Sequence, residues 1–252
     1  VSADSDGTER QSTPASDAAA GPPTDAGDRQ VRLLASWDAN AEAWADAVRQ
    51  GRIASRTRAT NAAVLEAVRR LRPRRALDVG CGEGWLAHAL EDGGVRVTGF
   101  DVSAALVGAA RTGPGTFVHL DYDALERDAG VLPGPFDVAV CNFSLLSDPV
   151  DGLLGALAAR LGPGGRLVVQ TVHPLALGAE RYADAWHEET FDAFGGAFPA
   201  AMPWYARTLA SWWRALDDAG FVLERLEEPR MEGVAWPVAL LLTAATGGVR
   251  RG

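Results

Sequence analysis

The chain has 252 residues, enough for one ordinary domain with an insertion, and its 47% hydrophobic residues can supply a sizeable core. Its net charge is −9 and its 24 basic residues are all arginines, which argues against a cationic stripe for a nucleic-acid backbone. No apolar run approaches the ~18 residues of a membrane span, and two cysteines, Cys81 and Cys141, make no disulfide framework. The amino terminus lacks a basic start followed by an apolar segment, so the expectation is a cytoplasmic, reducing setting.

Residues 1–30 are rich in Ser, Asp, Ala, Gly and Pro and read as a disordered tail. From Val31, Leu33, Leu34, Trp37, Ala41, Trp44 and Val48 recur at helical spacing, which sets Trp37 and Trp44 on one face. A helix before the first strand of an open α/β sheet can cross the rim of its ligand crevice. Trp37 is therefore a candidate for the pocket as well as for the core. A second helix spans Thr60 to Leu71, with Pro73 beyond it. Strands are expected at Arg75–Val79, Val95–Phe100, Thr116–Leu120, Phe136–Cys141 and Arg166–Thr171. Helices fall between them at Trp85–Leu90, at Ala104–Ala110 with Ser103 as its cap, and at about Pro149–Leu161. That alternation means a parallel, doubly wound sheet.

From His173 to Arg207 the periodicity stops, and the connection carries Tyr182, Trp186, Phe191, Phe194, Phe198, Trp204 and Tyr205. A long aromatic connection inside a compact domain reads as a lid. A helix at Thr208–Ala219 follows. The last strands, Phe221–Glu227 and Val238–Ala245, are joined too closely for a helical crossover and are expected to be antiparallel neighbours.

Ligands on such sheets sit outside the carboxyl ends of the strands. Those ends hold Gly80, Cys81, Gly82 and Gly84, then Asp101, then Asp121 with Tyr122, then Asn142 with Phe143. One such acid is an ordinary turn former; polar ends recurring in order behind a glycine turn mark a crevice. The G-x-G-x-G spacing of Gly80, Gly82 and Gly84 departs from the dinucleotide G-x-G-x-x-G, and Asp78 and Glu83 flank it. Two carboxylates repel a pyrophosphate and suit a ligand with a cationic end, an amino group or a sulfonium. Asp101, about twenty residues past the first glycine, suits a carboxylate that accepts both hydroxyls of an unphosphorylated ribose.

From about Ser36 onward the chain resembles the class I S-adenosylmethionine-dependent methyltransferases, in their small-molecule branch. The resemblance rests on Leu77-Asp-Val-Gly-Cys-Gly-Glu-Gly84, Gly99-Phe-Asp-Val-Ser103, Phe136-Asp-Val-Ala-Val-Cys-Asn-Phe143 and Leu161-Gly-Pro-Gly-Gly-Arg-Leu167. It implies an α/β, doubly wound, seven-stranded, mostly parallel sheet with a reversed C-terminal strand. In that reading the domain covers 31–252, with cap helices at 31–72 and the aromatic lid at 173–207. It also implies S-adenosyl-L-methionine as cofactor and S-adenosyl-L-homocysteine as product. Asp78, Gly80, Cys81, Gly82 and Trp85 would surround the first turn, Asp101 and Val102 the ribose, Asp121 and Tyr122 the adenine edge, with Asn142 and Phe143 after strand four. Trp37-Asp-Ala-Asn-Ala-Glu-Ala-Trp44 is similar to the family's leader helix, where an aromatic residue closes over the cofactor and an arginine such as Arg56 holds the methionine carboxylate. The chain departs from the common pattern at Asn142-Phe-Ser-Leu-Leu146, where many members carry a histidine. It also lacks an Asn-Pro-Pro-Tyr type of motif, which lowers nucleic acid and protein amides as substrates.

Methyl transfer from a sulfonium is an in-line displacement in which alignment and exclusion of water carry most of the catalysis. A hydroxyl acceptor gains from a base. His88 and His119 read as structural; His173, after strand five, is the candidate base and substrate contact, and His187 a weaker one. Trp186, Trp204, Tyr205 and Arg207 are candidates for substrate binding, although the last three serve equally well as anchors of the lid. The aromatic lid points to a mostly apolar acceptor. No His/Asp/Cys spacing suggests a metal. The expected partner is a small-molecule acceptor, with no nucleic acid and no membrane, and the protein a monomer or homodimer. The competing readings are an aminopropyl transferase or NAD-dependent dehydrogenase on the same sheet, and a non-catalytic protein that binds S-adenosylmethionine.

Overall fold

The computed structural model describes residues 26–247. Most of the expected tail lies outside the described residues. Nine strands are present among those described: β1 (Arg75–Val79), β2 (Arg96–Asp101), β3 (Thr116–His119), β4 (Phe136–Asn142), β5 (Leu161–Val172), β6 (Ala185–Glu189), β7 (Met202–Ala206), β8 (Phe221–Glu227) and β9 (Ala239–Thr246). Seven of them form one sheet in the order β3-β2-β1-β4-β5-β9-β8. Pairs among β1 to β5 are parallel, while β9 runs antiparallel to both β5 and β8. The doubly wound sheet and its reversed last strand are as expected.

Seven α-helices accompany the strands among the described residues: α1 (Ala26–Arg49), α2 (Asn61–Arg70), α3 (Trp85–Glu91), α4 (Ala104–Ala110), α5 (Tyr122–Arg127), α6 (Asp151–Arg160) and α7 (Leu209–Asp218). Strand periodicity divides the core in two. Ala76, Val138 and Val140 face a cluster with Val64, Leu86, Leu90 and Val107 from α2, α3 and α4. Leu77, Val79, Ala139 and Cys141 face the other, with Leu125, Leu153, Leu157 and Trp212 from α5, α6 and α7. Because successive side chains alternate across the pleat, a central strand covered on both faces reads as continuously apolar.

The structure departs from the sequence expectations in three places. Helix α1 begins at Ala26, ahead of the apolar periodicity, and a π-helical turn at Arg56–Thr60 precedes α2. The short α5 starts where a strand end was expected, because Asp121 Oδ1 accepts a hydrogen bond from Ala124 N at 2.6 Å and caps the first turn. The aromatic connection holds a two-stranded antiparallel sheet, with Ala185 opposite Ala206 and His187 opposite Trp204. Neither strand alternates cleanly between polar and apolar residues, and Pro203 sits inside β7, so strand periodicity gave no signal.

This small sheet forms a roof with α1. Asn40 brackets Ala200 with its side-chain amide, donating from Nδ2 to the carbonyl at 2.8 Å and accepting from the backbone N–H at 3.1 Å. Phe191 and Phe198 stack at 4.3 Å between centroids, and Trp204 and Met202 pack with Leu33 and Leu146.

The paired tryptophans of α7 give a test of the packing. Trp212 is 2% exposed in the core, whereas Trp213 is 55% exposed. Trp212→Ala is expected to destabilise the fold by roughly 3–5 kcal/mol in chemical denaturation. Trp213→Ala should cost less than about 0.5 kcal/mol.

Candidate active site

A crevice opens at the carboxyl ends of β1 to β4, under α1. Its floor is the turn after β1. Gly80, Gly82 and Gly84 all have positive φ, at 68°, 56° and 87°, a region closed to most side chains. The three serve different ends. A Cβ on Gly80 would stand 2.5 Å from Ser144 Cβ, and one on Gly84 2.9 Å from Ala110 Cβ, so both glycines permit close packing. A Cβ on Gly82 would meet only Trp44 Nε1 at 4.0 Å, across the crevice. Gly82 thus keeps the ligand space itself clear.

Asp101 locks this turn to the end of β2. Its Oδ2 accepts from Gly82 N at 2.9 Å and its Oδ1 from Ser103 N at 2.9 Å. Each oxygen keeps a lone pair, and Asp101 lines the crevice beside Val102. Burial raises its carboxyl above the ordinary range, and the Ser103 and Gly82 N–H groups pull it back down.

Asp78 and Glu83 lie deeper and are 2% and 5% exposed, so both are desolvated. Asp78 Oδ2 and Glu83 Oε1 have no hydrogen-bond partner among the described residues. Burial, then Glu83 and Asp101 nearby, push the Asp78 carboxyl up to about 7. Burial also raises Glu83, with Arg56 pulling the other way. Arg56 is the cation facing these acids. Its guanidinium lies 5.0 Å from the Trp85 ring centroid and 5.6 Å from that of Trp44, and burial lowers its pKa against the pull of Glu83 and Asp78.

The opposite wall is less polar. Trp37 and Trp44 meet edge to face at 5.3 Å and line the crevice together with Leu33 and Leu34 of α1. Phe143 follows β4 at φ 56° and bonds from its N–H to the Gln170 carbonyl at 2.7 Å, a left-handed residue held where the wall turns. Tyr122 buttresses the glycine turn, its hydroxyl donating to Ser144 O at 3.0 Å.

All the candidates from the strand ends and leader helix line one crevice: Trp37, Arg56, Asp78, Gly80, Cys81, Gly82, Trp85, Asp101, Val102, Asp121, Tyr122, Asn142 and Phe143. The lid candidates do not join them. His173 is fully buried; its Nδ1 accepts from Leu175 N at 3.1 Å, so Nε2 carries the proton and donates to Glu228 Oε1 at 3.1 Å. Nδ1 caps the 3₁₀ turn at Pro174–Leu177 and Nε2 is taken up by Glu228, so the structure does not bring His173 to the crevice as a base or substrate contact. His187 packs on Trp204, 5.3 Å between centroids, and its pKa is lowered by burial and by Arg181. Trp186 meets Tyr205 edge to face at 5.5 Å between centroids, and Trp204 belongs to the roof core. Arg207 holds Ser147 O at 2.6 Å and Asp148 Oδ1 at 2.8 Å, between the Tyr205 and Trp212 rings. It is an anchor, and so are its neighbours. His88 and His119 bond the Ala110 and Val102 carbonyls and are structural, as expected.

Sequence reasoning missed several lining residues, including Gln30, Leu146, Ser144 and Ser147. Gln30 fell within the stretch read as tail. The other three sit in a loop without periodicity, and only the sheet register brings them under α1.

The profile of the methyltransferase domain family matches residues 49–226. The chain belongs to that family. Among curated proteins it is 39% identical over 104 residues to the ubiquinone biosynthesis O-methyltransferase of Xylella fastidiosa (strain 9a5c), covering 39% of this chain and 42% of that protein. It spans about two fifths of the length of such relatives. Among solved structures, an S-adenosylmethionine-dependent methyltransferase from Mesorhizobium loti is 26% identical with a TM-score of 0.55, over 71% of this chain and 96% of that one. The 1,6-didemethyltoxoflavin-N1-methyltransferase of Burkholderia thailandensis, 19% identical, shares the fold over 91% of this chain and 94% of its own, with a TM-score of 0.64.

The buried acids give this methyltransferase-family chain a pH signature of its own. A carboxyl whose pKa rises on folding contributes stability that is fully present below its unfolded value and is lost as pH rises through the folded one. For Asp78 those values are 3.8 and about 7. Asp78→Asn should therefore be more stable than the native chain at pH 8, by a margin roughly 1–2 kcal/mol wider than at pH 5.5. Urea denaturation at both pH values checks this, and a margin independent of pH would show that Asp78 is not the strained group.

Proposed function

We propose that the protein transfers the methyl group of S-adenosyl-L-methionine to a small-molecule acceptor and releases S-adenosyl-L-homocysteine. The observation that carries this is the pair of desolvated carboxylates, Asp78 and Glu83, beside an open glycine turn. Burying two carboxylates with oxygens unpartnered is costly unless a cation meets them. An amino acid ammonium next to a sulfonium supplies that charge; a pyrophosphate would add to the repulsion. Asp101 suits the ribose hydroxyls, Arg56 the methionine carboxylate, and Trp37 a wall closing over the donor. The residues present fit the cofactor without any metal ligand set.

When bound, the cofactor supplies an activated methyl group. The chain's part is to hold donor and acceptor in line and to keep water out. Alignment of this kind is worth as much as ~7–11 kcal/mol, and α1, braced by the β6–β7 segment, covers the crevice. Leu33, Leu34, Leu146 and Phe143 give the acceptor an apolar surface. The ubiquinone-pathway relatives and the toxoflavin enzyme are both named for small-molecule methylation, which supports the same class here. No described helix is long and apolar enough to cross a membrane. The buried, unpaired thiols of Cys81 and Cys141 suit the reducing cytoplasm.

Calorimetry with S-adenosylmethionine is the direct test. Binding should be saturable in the native chain, absent with NAD, and at least about tenfold weaker in Asp101→Ala, which loses a charged hydrogen-bond partner. Because the ligand's cation favours ionised Asp78, affinity should fall as pH drops below about 7 and level off above it. NAD binding, or an unchanged affinity in Asp101→Ala, would refute the assignment.

A further inference from the structure

Asn142, at the end of β4, has its side-chain amide fixed by a partner that cannot be reversed. Gln170 of β5 is 1% exposed and pairs with Asn142 in the sheet register. Its Nε2 lies 3.1 Å from the Thr60 carbonyl oxygen, which can only accept, so the nitrogen end of that amide must face Thr60. The same nitrogen donates to Asn142 Oδ1 at 2.7 Å. With Oδ1 committed, the edge left to Asn142 is its Nδ2. Asn142 is half-buried and lines the crevice, so Nδ2 is the amide edge it has to offer a ligand there. The β1–β4 register, with Val79 opposite Cys141, sets Asn142 level with Gly80. That is the end of the crevice near Asp78, away from Asp121.

We infer that Asn142, oriented by Gln170, selects an ionised oxygen nucleophile over an amine as the methyl acceptor. The inference rests on the methyl-transfer reading above and names the acceptor class that reading left open. An ionised oxygen, from an acidic phenol, an enol or a carboxylic acid, has lone pairs to spare. It accepts a hydrogen bond from Nδ2 with one and attacks the methyl carbon with another. The carbon–oxygen bond forms, the carbon–sulfur bond breaks with its electron pair passing to sulfur, and the two charges cancel. No proton remains to be removed, in keeping with a crevice that has no histidine among the described residues lining it. A neutral amine has a single lone pair, which a bond from Nδ2 would occupy, and its own N–H groups would face another donor. Had Asn142 been turned the other way, its carbonyl would have suited an amine.

The test is a panel of phenols, enols and carboxylic acids, each paired with its amine counterpart, 4-nitrocatechol with 4-nitro-1,2-phenylenediamine among them. Release of S-adenosylhomocysteine is followed with the full chain and with Asn142→Asp and Gln170→Leu. Buried polar groups that lose or gain a partner shift discrimination by an order of magnitude or more. The native chain should favour the oxygen member by at least about tenfold in kcat/KM, Asn142→Asp should cut that ratio about tenfold, and Gln170→Leu should flatten it. S-adenosylmethionine affinity, measured alongside, should stay within about threefold in Gln170→Leu, whose side chain lines none of the crevice. Preference for amines, methylation of no oxygen acceptor by a chain that binds S-adenosylmethionine, or a loss of cofactor affinity with the ratio unchanged would each overturn the inference. The last would place Asn142 on the methionine carboxylate. Failure of the native chain to bind S-adenosylmethionine at all would instead sink the function proposed above.

Discussion

Two carboxylates kept out of water beside a turn of left-handed glycines are the constraint around which the site is arranged. Asp78 and Glu83 cannot both ionise comfortably in a dry pocket, and Arg56, the guanidinium that acts on both, is itself partly desolvated. The sheet explains why the charge sits there. A parallel strand covered on both faces must be apolar along its length, so polar chemistry is confined to its carboxyl end. Asp101, one strand over, then ties the turn to β2 through Gly82 N. The turn is held open from outside by an acid, not by its own side chains.

The crevice depends equally on its cover. Helix α1 brings Trp37, Trp44 and Leu33 over the strand ends, but an isolated helix would not stay there. The β6–β7 sheet braces it without lining the crevice itself. Its connecting loop is fastened to α1 by the paired Asn40–Ala200 bonds, and its second strand to the loop after β4 by the Tyr205 N–H on the Leu146 carbonyl, at 2.8 Å. Segments far apart in sequence therefore meet over one cavity, and their contacts are tertiary rather than local.

That difference decides what was legible in the sequence. The doubly wound sheet, its reversed last strand and the crevice floor could be read because each rests on local signals: apolar runs, alternating glycines, and acids at strand ends. The roof could not. The lid's aromatic residues look like substrate contacts in a list of residues, yet Trp204, Phe191 and Phe198 are spent on packing the roof to α1. His173 is the sharper case. Its place after strand five fits a base, but Leu175 N and Glu228 take both ring nitrogens, and Glu228 arrives from the far side of α7 and β8. Nothing within a window of sequence contains that pairing. Helix α5 was missed for a simpler reason, since six residues hold too little periodicity to announce a helix.

Arg207 shows how the cover and the floor are joined. Its side chain is 2% exposed, and burial lowers its pKa even with Asp148 at 2.8 Å, so the ion pair recovers only part of the desolvation cost. One nitrogen, Nη1, has no partner among the described residues. By the energetics of buried ion pairs, an apolar side chain of similar volume would stabilise the fold about as well. It would not span the same groups. The guanidinium reaches from the end of β7 to the Ser147 carbonyl, with Tyr205 on one side and Trp212 of α7 on the other, and Ser147 is itself part of the crevice wall. A planar donor stacked between two rings fixes the angle between the roof and the loop after β4, and the same loop begins with Asn142 and Phe143. Its contribution is to the shape of the crevice wall, carried through the backbone of Ser147.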